Sequence, residues 1–179
     1  MSKAAELAKF IADGTLGSDV TAIKHSGGTS VFTLDSSGRM LRPNQPAFLV
    51  HATAASNLTD DTTIAFGTEI FDQNGDFASN TFTAPVTGRY QLNVQMYTNQ
   101  VDYDGAYAQF KLITSNRNYL AAVDPGAFDS TPDYWSFTIA TLADMDASDT
   151  AYVQLDFGSG HGNTIDISTF SYFSGFLVA

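Results

Sequence analysis

Cysteine is absent from all 179 residues. That excludes a disulfide framework, a thiolate nucleophile and any Cys-ligated zinc or iron–sulfur site. Basic residues are scarce, with eight Lys+Arg against nineteen Asp+Glu and a net charge of -11. A phosphate backbone is held by clustered Lys and Arg, so nucleic acid is excluded as a partner. No run of about 18 apolar residues exists, so no segment reads as a membrane-spanning helix. The opening MSKAAELAKFIADG breaks its apolar stretch with Glu6 and Lys9, and so lacks the uninterrupted core of a secretory signal. Histidine is limited to His25, His51 and His161, with no His-x-x-x-His or His-Glu-x-x-His spacing. Neither a zinc pair nor a general-base constellation can be built from them. The expected class is a soluble, non-enzymatic protein made in a reducing compartment. Its hydrophobic content of 44% supports a core, and the length suits one domain with an appendage.

The charge that is present is unevenly placed. Residues 1–42 hold five bases (Lys3, Lys9, Lys24, Arg39, Arg42) and four acids (Glu6, Asp13, Asp19, Asp35), a balance of +1. Residues 43–179 hold three bases (Arg89, Lys111, Arg117) against fifteen acids, a balance of -12. Two parts with different neighbours are expected. Seventeen of the nineteen acids are Asp, whose short side chain bonds nearby backbone amides in turns, as in a loop-rich β protein.

Residues 2–12 set Ala4, Ala5, Leu7, Ala8, Ile11 and Ala12 at largely helical spacing, with Ser2 to cap the start and Gly14 to end it. A helix of at most three turns is not stable alone in water, so its apolar face needs a partner. Short strands are predicted at 20–24, 29–34 and 39–41, separated by the turn signals Ser26-Gly27-Gly28 and Ser36-Ser37-Gly38. Arg42-Pro43-Asn44-Gln45-Pro46, stiffened by two prolines, marks a boundary. The predicted organisation is an amino-terminal arm over 1–45 and a second domain over 46–179. Beyond the boundary, strands are predicted at 81–86, 90–97, 107–113, 134–142, 152–157 and 170–178. Alternation is clear where Tyr90, Leu92, Val94 and Met96 share one face and Gln91, Asn93 and Gln95 the other. Regularly spaced short strands indicate an all-β antiparallel sandwich.

Phe66, Asp72, Phe77 and then Phe82-Thr83-Ala84-Pro85-Val86-Thr87-Gly88-Arg89-Tyr90, followed by Leu92 and Val94, form an ordered motif. With the opening Pro46-Ala47-Phe48 and the closing Ser168-Thr169-Phe170 and Phe173-Ser174-Gly175-Phe176-Leu177, this resembles the C1q-like globular domain over residues 46–179. Two features depart from the family pattern: the gap between Phe77 and Phe82 is two residues shorter, and Leu92 and Val94 stand in place of aromatics. The resemblance implies a ten-stranded jelly roll, related in shape to tumour necrosis factor, that assembles as a homotrimer. Tyr90, Leu92, Phe170, Phe173 and Phe176 are then the residues of core and trimer, and Gly88 would permit a tight turn. The front of the chain, a short helix followed by Gly28 to Leu41 and a proline-marked boundary, resembles tailed-phage virion proteins. That implies a virion structural protein made in the host cytoplasm: a capsid decoration or cement protein, a head fibre or a short tail fibre. Its arm would bind capsid or tail proteins through Leu7, Phe10 and Ile11, with Val31, Phe32 and Leu34 as intertwined strand contacts. The alternative is a soluble recognition module that binds a host glycan or receptor, assisted by calcium.

Other motifs carry less. Asp72-Gln73-Asn74-Gly75-Asp76 begins like a calcium loop, but Phe77 stands where glycine is needed and Thr83 where a bidentate Glu belongs, so it is a turn. Gly158-Ser159-Gly160-His161-Gly162 leads to a strand rather than a helix, so it is a hairpin loop and not a phosphate cradle. For Asp102-Tyr103-Asp104 the plain reading is a solvated acidic loop. The resemblance adds that family trimers sometimes bind calcium near the axis, which makes Asp102 and Asp104 the candidates. No other cofactor is expected.

Overall fold

The computed structural model describes residues 22–24, 26–28, 30–162 and 165–179; among them the alternating sequence becomes fifteen strands and one short 3-10 turn. The chain divides into two compact units, Met1–Gln45 and Pro46–Ala179. The predicted helix at 2–12, with Leu7, Phe10 and Ile11, lies outside the described residues, as does His25.

In the first unit β1 (Ala22–Lys24), β2 (Ser30–Leu34) and β3 (Met40–Leu41) form an antiparallel meander. The β2–β3 turn is written in the sequence. The Asp35 carboxylate accepts the backbone N–H groups of Ser37 at 2.8 Å and Arg39 at 2.9 Å. Gly38 supplies the left-handed φ of 78° that a side chain would resist. The Arg39 guanidinium closes on the same carboxylate at 2.6 Å.

The second unit contains β4 (Ala47–His51), β5 (Ala55–Leu58), β6 (Thr68–Asp72), β7 (Phe77–Ala78), β8 (Thr81–Thr83) and β9 (Gly88–Asn99). These are followed by β10 (Ala108–Thr114), β11 (Asn118–Val123), β12 (Tyr134–Met145), β13 (Thr150–Phe157), β14 (Ile165–Ile167) and β15 (Tyr172–Leu177). One sheet runs β11-β10-β13-β8-β7. The larger sheet runs β5-β14-β9-β15-β4-β6, with β12 on the other edge of β9. The resemblance implied ten strands and this unit has twelve, of which β5, β7, β8 and β14 are only two to four residues long. The result is an all-β jelly-roll-like sandwich.

Between the sheets, β9 sends Tyr90, Leu92, Val94 and Met96 inward, all at 1% exposure or less. Phe48 stacks on Phe82 at 4.7 Å and Phe77 at 5.2 Å, and meets Phe173 edge-on at 4.9 Å. Such aromatic pairs add to what burial alone contributes. The Tyr90 hydroxyl satisfies itself by donating to the Val86 carbonyl at 2.7 Å.

Several expected boundaries move. The strand predicted at 81–86 ends at Thr83, because Pro85 has no N–H to give a ladder. The last strand starts at Tyr172 rather than 170, since Ser168 closes a turn by accepting from the backbone of Phe170 and Ser171. Gly88 opens β9 instead of making a tight turn. Its reason is a close approach: a Cβ there would lie 2.7 Å from Leu177 and 2.8 Å from the Ala179 carbonyl oxygen. β6 and β11 were not anticipated, one because it is exposed along most of its length and carries charge, the other because it is an edge strand rich in alanine.

Candidate functional site

The outward face of the larger sheet assembles from five strands in register. Leu142 of β12 stands beside Gln91 of β9, which pairs with Phe176 of β15, which pairs with Ala47 of β4. One step along lie Ala140, Asn93, Ser174, Leu49 and, on β6, Phe71. The next row is Thr138, Gln95, Tyr172, His51 and Thr68. None of these residues is Asp, Glu, Lys or Arg, although the unit that carries them holds fifteen acids. Charge stands at its ends: Arg89 and Asp144 are register partners in the row beyond Leu142, with Asp144 ion-paired to Arg117, and Asp166 pairs with Asn99 in the row of Tyr134.

Polar groups on this face are partly satisfied within it. The Tyr172 hydroxyl donates to Gln95 Oε1 at 3.1 Å, Gln91 Nε2 donates to Asn93 Oδ1 at 3.0 Å, and His51 Nδ1 donates to the Thr169 carbonyl at 3.0 Å. Apolar groups are not satisfied: Phe71 and Phe176 are 48% and 45% exposed, and flank an open groove of about 520 Å³ with Leu49 and Tyr172. At the other end Tyr97 meets Tyr134 at 5.8 Å and Phe170 at 6.0 Å, with Phe170 exposed at 72%. A surface that is uncharged, aromatic and amide-lined has the composition of the interior of a protein–protein interface.

The sequence-predicted residues therefore separate. Tyr90, Leu92 and Phe173 are fully buried within one copy and can make no contact between copies; the strand period of two turns them to the core. Phe170 and Phe176 are on the surface. The residues missed are Leu49, Phe71 and Leu142, which become neighbours only once strands far apart in the chain are aligned. In the first unit Val31, Phe32 and Leu34 occupy β2, with Val31 and Leu34 exposed.

The acidic loops have structural roles. Asp102 ties two loops together, accepting from the backbone N–H of Asp104 at 3.1 Å and of Gly162 at 3.2 Å. Beside it Gly105 leaves room for the His161 ring, whose Nε2 donates to the Tyr107 carbonyl at 3.0 Å. Within one copy, among the described residues, three acids come within metal-ligand distance: Asp60, Asp61 and Asp156, whose oxygens lie within 4.8 Å of one another. This trio does not fit an open calcium site, because a cation is already built in. The Lys111 ammonium pairs with Asp156, which also accepts from the Gln109 amide and, at 3.2 Å, from the Tyr107 hydroxyl. Burial alone would push the Asp156 carboxyl up, but the hydrogen bonds and charge of Lys111, with Gln109 and Tyr107, hold it below the usual carboxylate range.

The fold matches known structures. The globular domain of zebrafish complement 1qA superimposes with a TM-score of 0.59 at 18% identity, covering 76% of this chain and 98% of that one. Murine APRIL aligns with a TM-score of 0.55 at 11% identity in its pH 8.0 crystal structure, covering 75% of this chain and all of that one. At such identities the likeness is one of fold. A search of curated proteins by sequence finds no match. The family model of the C1q domain matches residues 47–178, almost the whole of the second unit. On that match, and on the sandwich that carries it, the chain belongs to the C1q domain family.

Proposed function

We propose that the chain is a homotrimeric binding module, with copies associating through the uncharged outer face of the larger sheet. C1q domains are non-enzymatic binding modules. The observation that carries the trimer is the exclusion of charge from the three central rows of that face in a unit of net charge -12. Like carboxylates brought together between copies would repel, and an uncharged face avoids this. The first unit then serves as an attachment arm on a larger particle, and the acidic head projects from it into water. The resemblance of the front of the chain assigns that particle as a tailed-phage virion, with the arm on capsid or tail proteins. Three arms on one trimer make weak docking contacts additive through effective concentration.

Removal of residues 1–42 tests the arm. The head should remain trimeric and lose binding to the particle. A head that binds particles as well as the full chain would overturn the assignment.

A further inference from the structure

The amino-terminal meander has no interior of its own. Among the described residues, none of the buried hydrophobic side chains lies before Phe48. Yet its apolar residues are sorted by face. Ile23 pairs with Phe32 and Leu34 with Met40, and Phe32 and Leu34 are two apart on β2, so these four share one face. Ala22, Thr33 and Leu41 are set on the other by their own pairing, with Val31 in step. The first face carries four large apolar side chains and no charge. Asp35 and Arg39 are held away from it in the β2–β3 turn by their mutual ion pair. Strands of two to five residues with a bare apolar face do not make an independently stable sheet.

We propose that this face is a second self-association surface, on which three copies of the meander pack Ile23, Phe32, Leu34 and Met40 against one another. The inference rests on the trimer proposed above. What selects another copy as the occupant is the tether. Only Arg42-Pro43-Asn44-Gln45 separates β3 from Pro46 of the head, and the Asn44 side-chain amide holds that segment back on the Ser30 carbonyl at 2.7 Å. Three heads in one trimer therefore carry three identical uncharged faces, each on a tether of four residues. A tether so short makes their association effectively intramolecular. The opposite face, with Val31 and Leu41, stays uncovered by this packing and free for the particle.

Met40 and Leu41 offer an internal comparison, being neighbours on opposite faces with exposures of 57% and 50% in a single copy. The chain has no native cysteine, so Met40→Cys and Leu41→Cys in the full chain each carry a single thiol probe. Maleimide labelling is followed while light scattering gives the mass of the same sample. In a trimer the Met40→Cys thiol should react roughly tenfold or more slowly than the Leu41→Cys thiol, since it is reached only by local opening. Mild oxidation should also link Met40→Cys chains into covalent dimers. Equal labelling rates in a sample of trimer mass, or protection of Leu41→Cys instead, would overturn this inference and leave the trimer standing. A sample of monomer mass would overturn the trimer reading itself. The pair Phe32→Cys and Val31→Cys repeats the comparison should either first variant fail to fold.

Discussion

The Lys111 ammonium on β10 meets the Asp156 carboxylate on β13 at a point where the acid is 6% exposed and two further aspartates, Asp60 and Asp61, stand beside it. A buried carboxylate without a counter-charge is strongly disfavoured, so the lysine holds this corner of the sandwich together. Lys111→Met should destabilise the fold by about 2 kcal/mol, less than for a wholly buried pair because the lysine side chain is 24% exposed. Lys111→Met with Asp156→Leu should recover most of the loss. Chemical denaturation of the two single variants and the double variant gives the coupling directly.

Two carboxyls should give stability opposite dependences on pH. Asp156 is held below its ordinary value in the fold, so its contribution is present at neutral pH and is lost as pH falls below about 4. Asp76 is pushed up, first by burial and then by the charge of Asp72, and its Oδ2 is buried with no hydrogen-bond partner. Its contribution is therefore favourable at low pH, where it is protonated, and is lost as pH rises through its raised value. Asp76→Asn should stabilise the protein at pH 7 by about 0.5–1 kcal/mol and have little effect at pH 3. Thermal melts of the variant across pH read both arms.

Gly175 faces the core on β15, where a Cβ would come within 2.6 Å of Leu92 Cδ2 and 2.8 Å of the Phe48 ring. Gly175→Ala should destabilise by about 1–3 kcal/mol through overpacking. A Phe48→Leu change made with it should restore part of the loss. Stability curves of the two variants and the combination check this.

The jelly roll was legible because its long strands alternate strictly. Gly88–Asn99 buries every second residue, and a motif of aromatics around Pro85 and Gly88 sits at its entrance. The candidate face was not. Along β9 the residues Gln91, Asn93 and Gln95 read as an ordinary solvent side, and nothing local distinguishes them. Their meaning comes from register: Leu49, Phe71, Phe176 and Leu142 reach them from four other strands, and together the rows are empty of charge. The motif named Tyr90 and Phe173 for core and trimer alike, because membership of a strand does not say which face a residue takes; their burial puts them in the core. Nor could the sequence show that Asp60 and Asp156, almost a hundred residues apart, are neighbours in space.

The central claim, that the uncharged face joins copies of the chain, is tested most directly by the solution mass of the wild type beside two charge insertions. Phe176, 45% exposed, lies on the face, while Leu120, 58% exposed, lies on β11 of the other sheet. Light scattering at micromolar concentration should give three times the 19.2 kDa of one chain for the wild type and for Leu120→Glu, and a smaller species for Phe176→Glu. A wild type that runs at 19.2 kDa, or a Phe176→Glu variant that keeps the full trimer mass, would contradict the account.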